Sequence, residues 1–286
     1  MDIAEFKKKS GARTFHRHPW EIARGKIIMD LVRYAKNHTP KNPGASNRNP
    51  QNPDSPQHPG VHNRDTSSPV NHIADIGCGD GYIAGLLTAD PTFTRHYSAI
   101  DSALDEPMKA SLATGHQPIR FFSSLQETKA QVPPADIILI LDVLEHVPEE
   151  AALFTAIKSN IPTTPATQWI ITVPAFQSVF SRHDTILGHY RRYNLAQLTT
   201  MCQNNNLVIE KKGYFFFSLL LARILTRSQK KKENESTIES WNGNRFLTGL
   251  FTRILRLDYK IGLIISNIGL PDIPGLSCYC ICHQPQ

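Results

Sequence analysis

The residues from Ile73 to Gly81, Ile-Ala-Asp-Ile-Gly-Cys-Gly-Asp-Gly, constrain this chain more than any others. A short apolar run ends in alternating glycines and is followed by Tyr82-Ile83-Ala84-Gly85-Leu86-Leu87. The segment therefore reads as strand, tight turn and helix, the opening unit of a nucleotide-binding α/β sheet. Gly77, Gly79 and Gly81 leave no Cβ in the turn, so the backbone can take positive φ and a ligand can lie directly against it. A dinucleotide fingerprint would place its third glycine at position 82, where this chain has Tyr82, with Gly81 one residue early. That mismatch argues against NAD.

An acidic residue about 20 positions beyond the turn is the second requirement, because a carboxylate ending the next strand accepts hydrogen bonds from ribose hydroxyls. Tyr97-Ser98-Ala99-Ile100-Asp101 supplies it. A carboxylate there would repel a 2′-phosphate, which favours an adenosine over NADP. The plainer role of Asp101 is to cap the chain that follows. With that acid in place, Asp75-Ile76-Gly77-Cys78-Gly79-Asp80-Gly81 resembles motif I of the class I S-adenosylmethionine (SAM) methyltransferases. The resemblance implies an α/β, Rossmann-like fold: a seven-stranded, mostly parallel sheet with an antiparallel last strand, helices on both faces and, here, a helical insert before the last strand. It implies SAM as cofactor and S-adenosylhomocysteine as product, with Asp75, Gly77, Cys78, Gly79, Gly81, Asp101 and Ser102 around the cofactor.

Further along, Ile119-Arg120-Phe121-Phe122 is a third strand, followed by Ser124 and Leu125, where the resemblance places adenine recognition. Asp136 to Asp142 is a continuous apolar run between acids, as expected of a central parallel strand buried on both faces. It leads into Asp142-Val143-Leu144-Glu145-His146, similar to the element that many small-molecule methyltransferases hold beside the sulfonium, which adds Asp142 and Val143 to the cofactor set and Glu145 to the acceptor side. Enzymes that methylate base amines carry Asn/Asp-Pro-Pro-Tyr/Phe at this place, and that element is absent. Asp142, Glu145 and His146 share one side of a turn and could hold a divalent metal, as a similar Glu-x-x-Glu-His group does in quinone-precursor O-methyltransferases. Because the first position here is Asp, capping and a polar pocket wall are preferred, and no metal is assigned.

Gln168 to Pro174 reads as a fifth strand. Beyond it, Ser181 to Tyr193 concentrates His183, Asp184, His189, Arg182, Arg191, Arg192, Tyr190 and Tyr193, too polar for a core and too rich in titrating groups for a plain loop. The sequence predicts a substrate-facing lid. Gly188-His189-Tyr190-Arg191-Arg192-Tyr193, together with His18-Pro19-Trp20-Glu21, resembles elements of a bacterial methyltransferase family. A general base would come from His189, His146 or His183, with His189 preferred, since imidazole titrates near neutral pH. Arg191 and Arg192 would hold a carboxylate, phosphate or carrier group of the acceptor. Tyr190, Tyr193 and Trp20 complete the expected acceptor pocket, although Trp20 reads equally well as core.

Apolar spacings of three and four from Trp20 to Tyr34 predict an amphipathic helix, started by Pro19. Residues 37–69 hold seven prolines and six asparagines with no apolar period, which predicts a disordered inserted loop. Asn194 should cap a helix through Cys202, and Leu207 to Glu210 should be a sixth strand. Tyr214 to Leu225, then Phe246, Leu247, Leu250, Phe251, Ile254 and Leu255, form two apolar helical stretches edged by Arg223, Arg227, Arg245, Arg253, Arg256 and Lys260. They could pack on the sheet, cover the pocket, pair with a second subunit or partner enzyme, or rest on a membrane surface. Alternating Cys278, Cys280 and Cys282 mark the closing strand and lack the spacing of a zinc site. The expected organisation is a helical cap over 1–36, the loop over 37–69, a SAM-binding core over 70–213, the insert over 214–272 and the last strand over 273–286.

The longest apolar stretch, Tyr214 to Ala222, is about half a membrane span. No secretory signal opens the sequence, and five cysteines without a disulfide framework suit a reducing compartment. These features point to the cytoplasm, with contact to the inner face of a membrane left open by a net charge of +6. The reading is a SAM-dependent methyltransferase acting on an oxygen or carbon of a small or carrier-bound acceptor. The apolar insert suggests a lipophilic or aromatic one, such as the phenolic head group of a polyene or quinone-like lipid. The alternatives are a SAM-fold scaffold without turnover, against which the intact glycines and Asp101 speak, and a nucleic-acid methyltransferase, for which no binding module is present.

Overall fold

In the computed structural model the described residues are 16–38, 70–113, 119–226, 241 and 245–285. Of the expected inserted loop only Asn37 and His38 fall among them, and the charged run 230–233 falls outside.

Helix α1 spans Pro19–Asn37. His18 caps it: its Nδ1 accepts from the Trp20 N–H at 3.3 Å, while Glu21 reaches back to the His18 N–H at 2.9 Å. Then follow β1 (Val70–Ile76), α2 (Tyr82–Thr88), β2 (Thr94–Ile100), α3 (Glu106–Ala113), β3 (Ile119–Phe122), α4 (Leu125–Thr128), β4 (Ile137–Leu141), α5 (Glu150–Asn160) and β5 (Gln168–Pro174). The chain continues through α6 (Arg182–Ile186), α7 (Leu195–Asn204), β6 (Val208–Phe215), α8 (Phe217–Thr226), α9 (Arg245–Asn267) and β7 (Ser277–His283).

The strands form one seven-stranded sheet in the order β3-β2-β1-β4-β5-β7-β6. β1 to β5 are mutually parallel, and β7 runs antiparallel to β5 and to β6. This is the Rossmann-like arrangement expected, with the last strand reversed. Strand order turns back between β1 and β4, so a crevice opens beyond their carboxyl ends.

Both faces of the sheet are covered, which is why β4 and β5 are apolar without alternation. On one face Ile73, Tyr97, Leu139, Ile170 and Ile281 meet Ala23, Ile27, Ile28 and Leu31 of α1 and Leu87 of α2. On the other, Ala74, Ile138, Ile140 and Trp169 meet Phe154 and Ile157 of α5 and Leu198 of α7. Cys278, Cys280 and Cys282 alternate onto this second face against Cys202, all as free thiols, and Tyr279 and Ile281 onto the first. α1 lies close on α2 because Gly25 has no side chain: a Cβ there would come within 2.6 Å of Leu86 Cδ1.

Two boundaries differ from the sequence reading. β6 continues through Lys211, Lys212 and Gly213 to Phe215, so the insert begins after Phe216, whose φ is 69°. A register irregularity between Ile209 and Lys211 and a polar stretch mask the strand's period. α9, moreover, buries only Thr252, Leu255 and Tyr259, and its remaining faces are half-buried or open.

Candidate functional site

The crevice between β1 and β4 gathers the glycine turn, Asp101 and the β4 extension. Gly77, Gly79 and Gly81 all take positive φ, at 74°, 55° and 72°. A Cβ on Gly77 would come within 2.4 Å of Val143 Cγ2, so the turn sits directly against the β4 extension. The Gly77 N–H donates to the Ile100 carbonyl at 2.7 Å, and the Gly79 N–H donates to Asp101 Oδ2 at 2.9 Å. Asp101 Oδ1 accepts from the Ala103 N–H at 2.9 Å. Each oxygen thus carries one internal bond and keeps a lone pair for another donor. Ser102 is exposed beside it. Ser124 caps α4 through the Glu127 N–H at 3.3 Å, and Leu125 is half-buried.

Beneath the turn, Asp75 is buried and accepts from the Tyr97 hydroxyl at 2.8 Å through Oδ2, while Oδ1 has no hydrogen-bond partner. Burial, opposed only in part by the Tyr97 hydroxyl and the Arg24 charge, raises this carboxyl from 3.8 to about 7. Cys78 is also buried, and burial followed by the charges of Asp75 and Asp101 pushes its thiol well up, so the side chain is a neutral packing group.

The β4 extension is held in an uncommon conformation. Asp142 has φ 56°, a left-handed backbone that a non-glycine residue keeps only when its surroundings impose it. Thr172 Oγ1 donates to Asp142 Oδ1 at 2.9 Å, and the Arg24 guanidinium pairs with Oδ2 at 2.9 Å. Two residues before α1, Arg17 pairs with Asp80 of the glycine turn at 2.6 Å and lies 3.8 Å over the Tyr82 ring. α1 therefore fastens both halves of the crevice. The sequence reading missed Arg17, Arg24 and Asp80. Their signal was the spacing of seven between the arginines, Arg17 just before the His18 cap and Arg24 within the helix.

Glu145 follows in a short helical turn, Leu144–His146. It is buried, neither carboxylate oxygen has a hydrogen-bond partner, and burial, then the Asp142 charge, lifts its carboxyl well above the usual range. His146 is exposed and meets the His189 ring edge-on, centroids 4.6 Å apart. The Tyr190 N–H donates to the Glu145 carbonyl at 2.7 Å, which brings the 181–193 segment to the end of β4. Glu145, His146 and His189 each offer a ligand atom, all within 4.8 Å of one another. This corrects the grouping of Asp142 with Glu145 and His146: Asp142 is engaged by Arg24 and Thr172, and His189 stands in its place. His183 lies outside this cluster, half-buried on α6.

The 181–193 segment is organised around Asp184, which is fully buried. It pairs with Arg192 at 2.6 Å and Arg223 at 3.1 Å, accepts from the Ser181 N–H at 2.8 Å, and lies 3.2 Å from His189 Nδ1. Burial alone would raise its carboxyl, but the His189 and Arg192 hydrogen bonds, the Arg192 charge and the Ser181 N–H together hold it well below the usual range. Arg192, expected to face an acceptor, is buried with its guanidinium on Asp184 and the Ala175 carbonyl. Arg191 bonds Glu150 at 2.6 Å and the Pro148 carbonyl at 2.8 Å, and the buried Tyr193 hydroxyl donates to Glu150 at 2.9 Å. These residues brace the 181–193 segment: an anionic acceptor group would have to displace the acids they already hold. Tyr190, 59% exposed, remains open to a ligand, and Trp20 is half-buried against the core at the start of α1.

Neither a protein-family model nor a curated protein sequence matches the chain. Solved structures do. Phosphoethanolamine N-methyltransferase 2 of Haemonchus contortus, in complex with SAM, is 16% identical with a TM-score of 0.45, over 77% of this chain and 50% of that one. A SAM-dependent methyltransferase from Archaeoglobus fulgidus is 16% identical with a TM-score of 0.42, over 75% and 86%. Mitomycin 7-O-methyltransferase is 11% identical with a TM-score of 0.43, over 76% and 49%. This chain spans half the length of the first. Such similarity concerns the fold, which the strand order carries by itself.

Proposed function

We propose that the chain is a SAM-dependent methyltransferase. The observation that carries this is the crevice itself. A turn of three positive-φ glycines is closed by Asp101, and Asp142 is held in a left-handed conformation opposite it. The donor set fits SAM on two further counts. Asp101 retains acceptor capacity for two ribose hydroxyls, and Asp75 Oδ1 is a buried oxygen without a partner, suited to the cofactor's ammonium. Ser124 and Leu125 would flank the adenine. Bound SAM supplies an activated methyl group on a sulfonium.

The chain's own residues would then align the acceptor, for which orientation contributes about 7–11 kcal/mol. His189 is the base assigned here. Its Nδ1 faces Asp184 at 3.2 Å, so the carboxylate fixes the ring and leaves Nε2 to act as base. The proton would come from a hydroxyl, or from a carbon next to one, on a small lipophilic or aromatic acceptor reaching past Tyr190.

A second reading rests on Glu145, whose two unpartnered oxygens lie with His146 and His189 and would suit a divalent cation. Full turnover after exhaustive chelation would remove it.

Titration calorimetry with SAM tests the first claim: Asp101→Ala should weaken binding by about 1.5–3 kcal/mol, roughly ten- to a hundredfold. Unchanged affinity would place the cofactor elsewhere. Methyl-labelled SAM incubated with cell extract, then fractionated, tests the acceptor class. Label in the organic-soluble fraction supports the lipophilic reading, whereas label in nucleic acid or protein replaces it, and SAM binding with no labelled product favours a scaffold.

A further inference from the structure

The outer face of α8 and α9 has no counterpart in the chemistry above. Along α9 and just past its end, Leu250, Ile254, Leu257, Ile261, Ile264 and Ile268 recur at spacings of three and four, and each is 42–66% exposed. Phe217, Leu221, Ile224 and Leu225 of α8 add a second exposed apolar row. The two helices are joined by Asp258, which accepts from the Phe217 and Ser218 N–H groups at 3.0 and 2.7 Å. A continuous apolar face of this kind on a soluble domain marks a docking surface.

Charge identifies the occupant. Arg253 and Lys260 each precede a stripe residue by one position, Ile254 and Ile261, so they run along one edge of the apolar row. On that edge α9 and α1 line an open cavity of about 490 Å³ whose lining includes Lys26, Arg245, Arg253 and Arg256, the last paired with Asp30 at 3.5 Å. The other edge carries Asp258, already engaged with α8. In a pair of chains matched stripe to stripe, Arg253 and Lys260 would find no uncommitted acid on the facing α9. An anionic bilayer supplies both halves of the complement, acyl chains for the stripe and headgroup phosphates for its cationic edge. No described helix is long and apolar enough to cross a membrane, so the geometry is one of lying on the surface.

We infer that the α8–α9 face docks on an anionic lipid bilayer, with the cationic cavity beside it receiving headgroup phosphates. This does not depend on the methyl-transfer reading.

The test is co-sedimentation of the full chain with vesicles of phosphatidylcholine alone or with about one third phosphatidylglycerol. Binding is expected on the anionic vesicles, declining with salt. Arg253→Gln and Lys260→Gln should each weaken it about fivefold. Leu257→Gln with Ile261→Gln, which keeps the charge and alters only exposed positions, should weaken it at least as much. Circular dichroism and gel filtration of each variant confirm the fold and report its oligomeric state. Equal binding of the Leu257/Ile261 variant would mean charge attraction without docking, and would overturn the inference. So would absence of vesicle binding, with or without a dimer that the same variant dissociates; such a dimer would give the face to a second copy.

Discussion

Asp75→Asn separates the carboxylate beneath the glycine turn from everything else that titrates. The carboxyl is raised from 3.8 to about 7 chiefly by burial, so the folded state retains a proton that the unfolded chain has released. Between about pH 4 and pH 7 the folded protein therefore binds more protons than the unfolded one, and this group's contribution to stability is lost as pH rises through that window. Its full extent, at 1.36 kcal/mol per pH unit, is about 4 kcal/mol. Asparagine keeps the shape and an acceptor for the Tyr97 hydroxyl but cannot ionise. Urea unfolding of both proteins at pH 5 and pH 8.5 isolates the site, because every other group contributes equally to each. The variant should already be the more stable by about 1.6 kcal/mol at pH 5, 1.2 units above 3.8, and by about 4 kcal/mol at pH 8.5. Stability curves that stay parallel across this range would refute the reasoning. Calorimetry with SAM reads the other role: if Oδ1 takes the ammonium, wild-type affinity rises with pH up to about 7, and the variant binds more weakly without that rise.

Arg24→Met should leave α1 folded but release Asp142, weakening SAM binding and stability by about 1–3 kcal/mol; thermal unfolding and calorimetry of the variant check both. Asp184→Asn removes the partner of two arginines and should cost about 3–5 kcal/mol at neutral pH. Because Asp184 is held below its ordinary 3.8, its contribution is present above that pH and lost as pH falls below it. The gap between wild type and variant in urea unfolding should therefore narrow from pH 5 toward pH 2.

The strands were legible because a parallel sheet covered on both sides needs uninterrupted apolar runs, and residues 137–141 are such a run. The glycine turn and Asp101 were legible because their spacing is a backbone requirement. Arg192 was misread because composition reports polarity and not depth. A segment rich in charge looks the same whether its arginines face a ligand or, as here, a buried Asp184. The Arg24–Asp142 pair escaped for a related reason, since it spans 118 positions and only the packing of α1 over the crevice creates it. The apolar face of α9 was visible as a period, while its outward orientation was not, because α9 has a second, narrower apolar row at Leu255 and Tyr259 that turns inward.

That inward row has a consequence for how the surface and the site are related. α9 rests on α1, where Thr252 Oγ1 lies 3.4 Å from the Pro19 carbonyl and Arg256 pairs with Asp30 at 3.5 Å. α1 in turn holds Asp80 through Arg17 and Asp142 through Arg24. A helix capped at His18 and buried along Ala23, Ile27, Ile28 and Leu31 shifts as a unit, because a close-packed interior gives little compliance within it. Asp142 keeps φ 56° only while Arg24 and Thr172 hold it. A ligand that bound two positions of α9 with different free energies, and moved α1 with it, would couple to the crevice, and cofactor binding would then act back on that face.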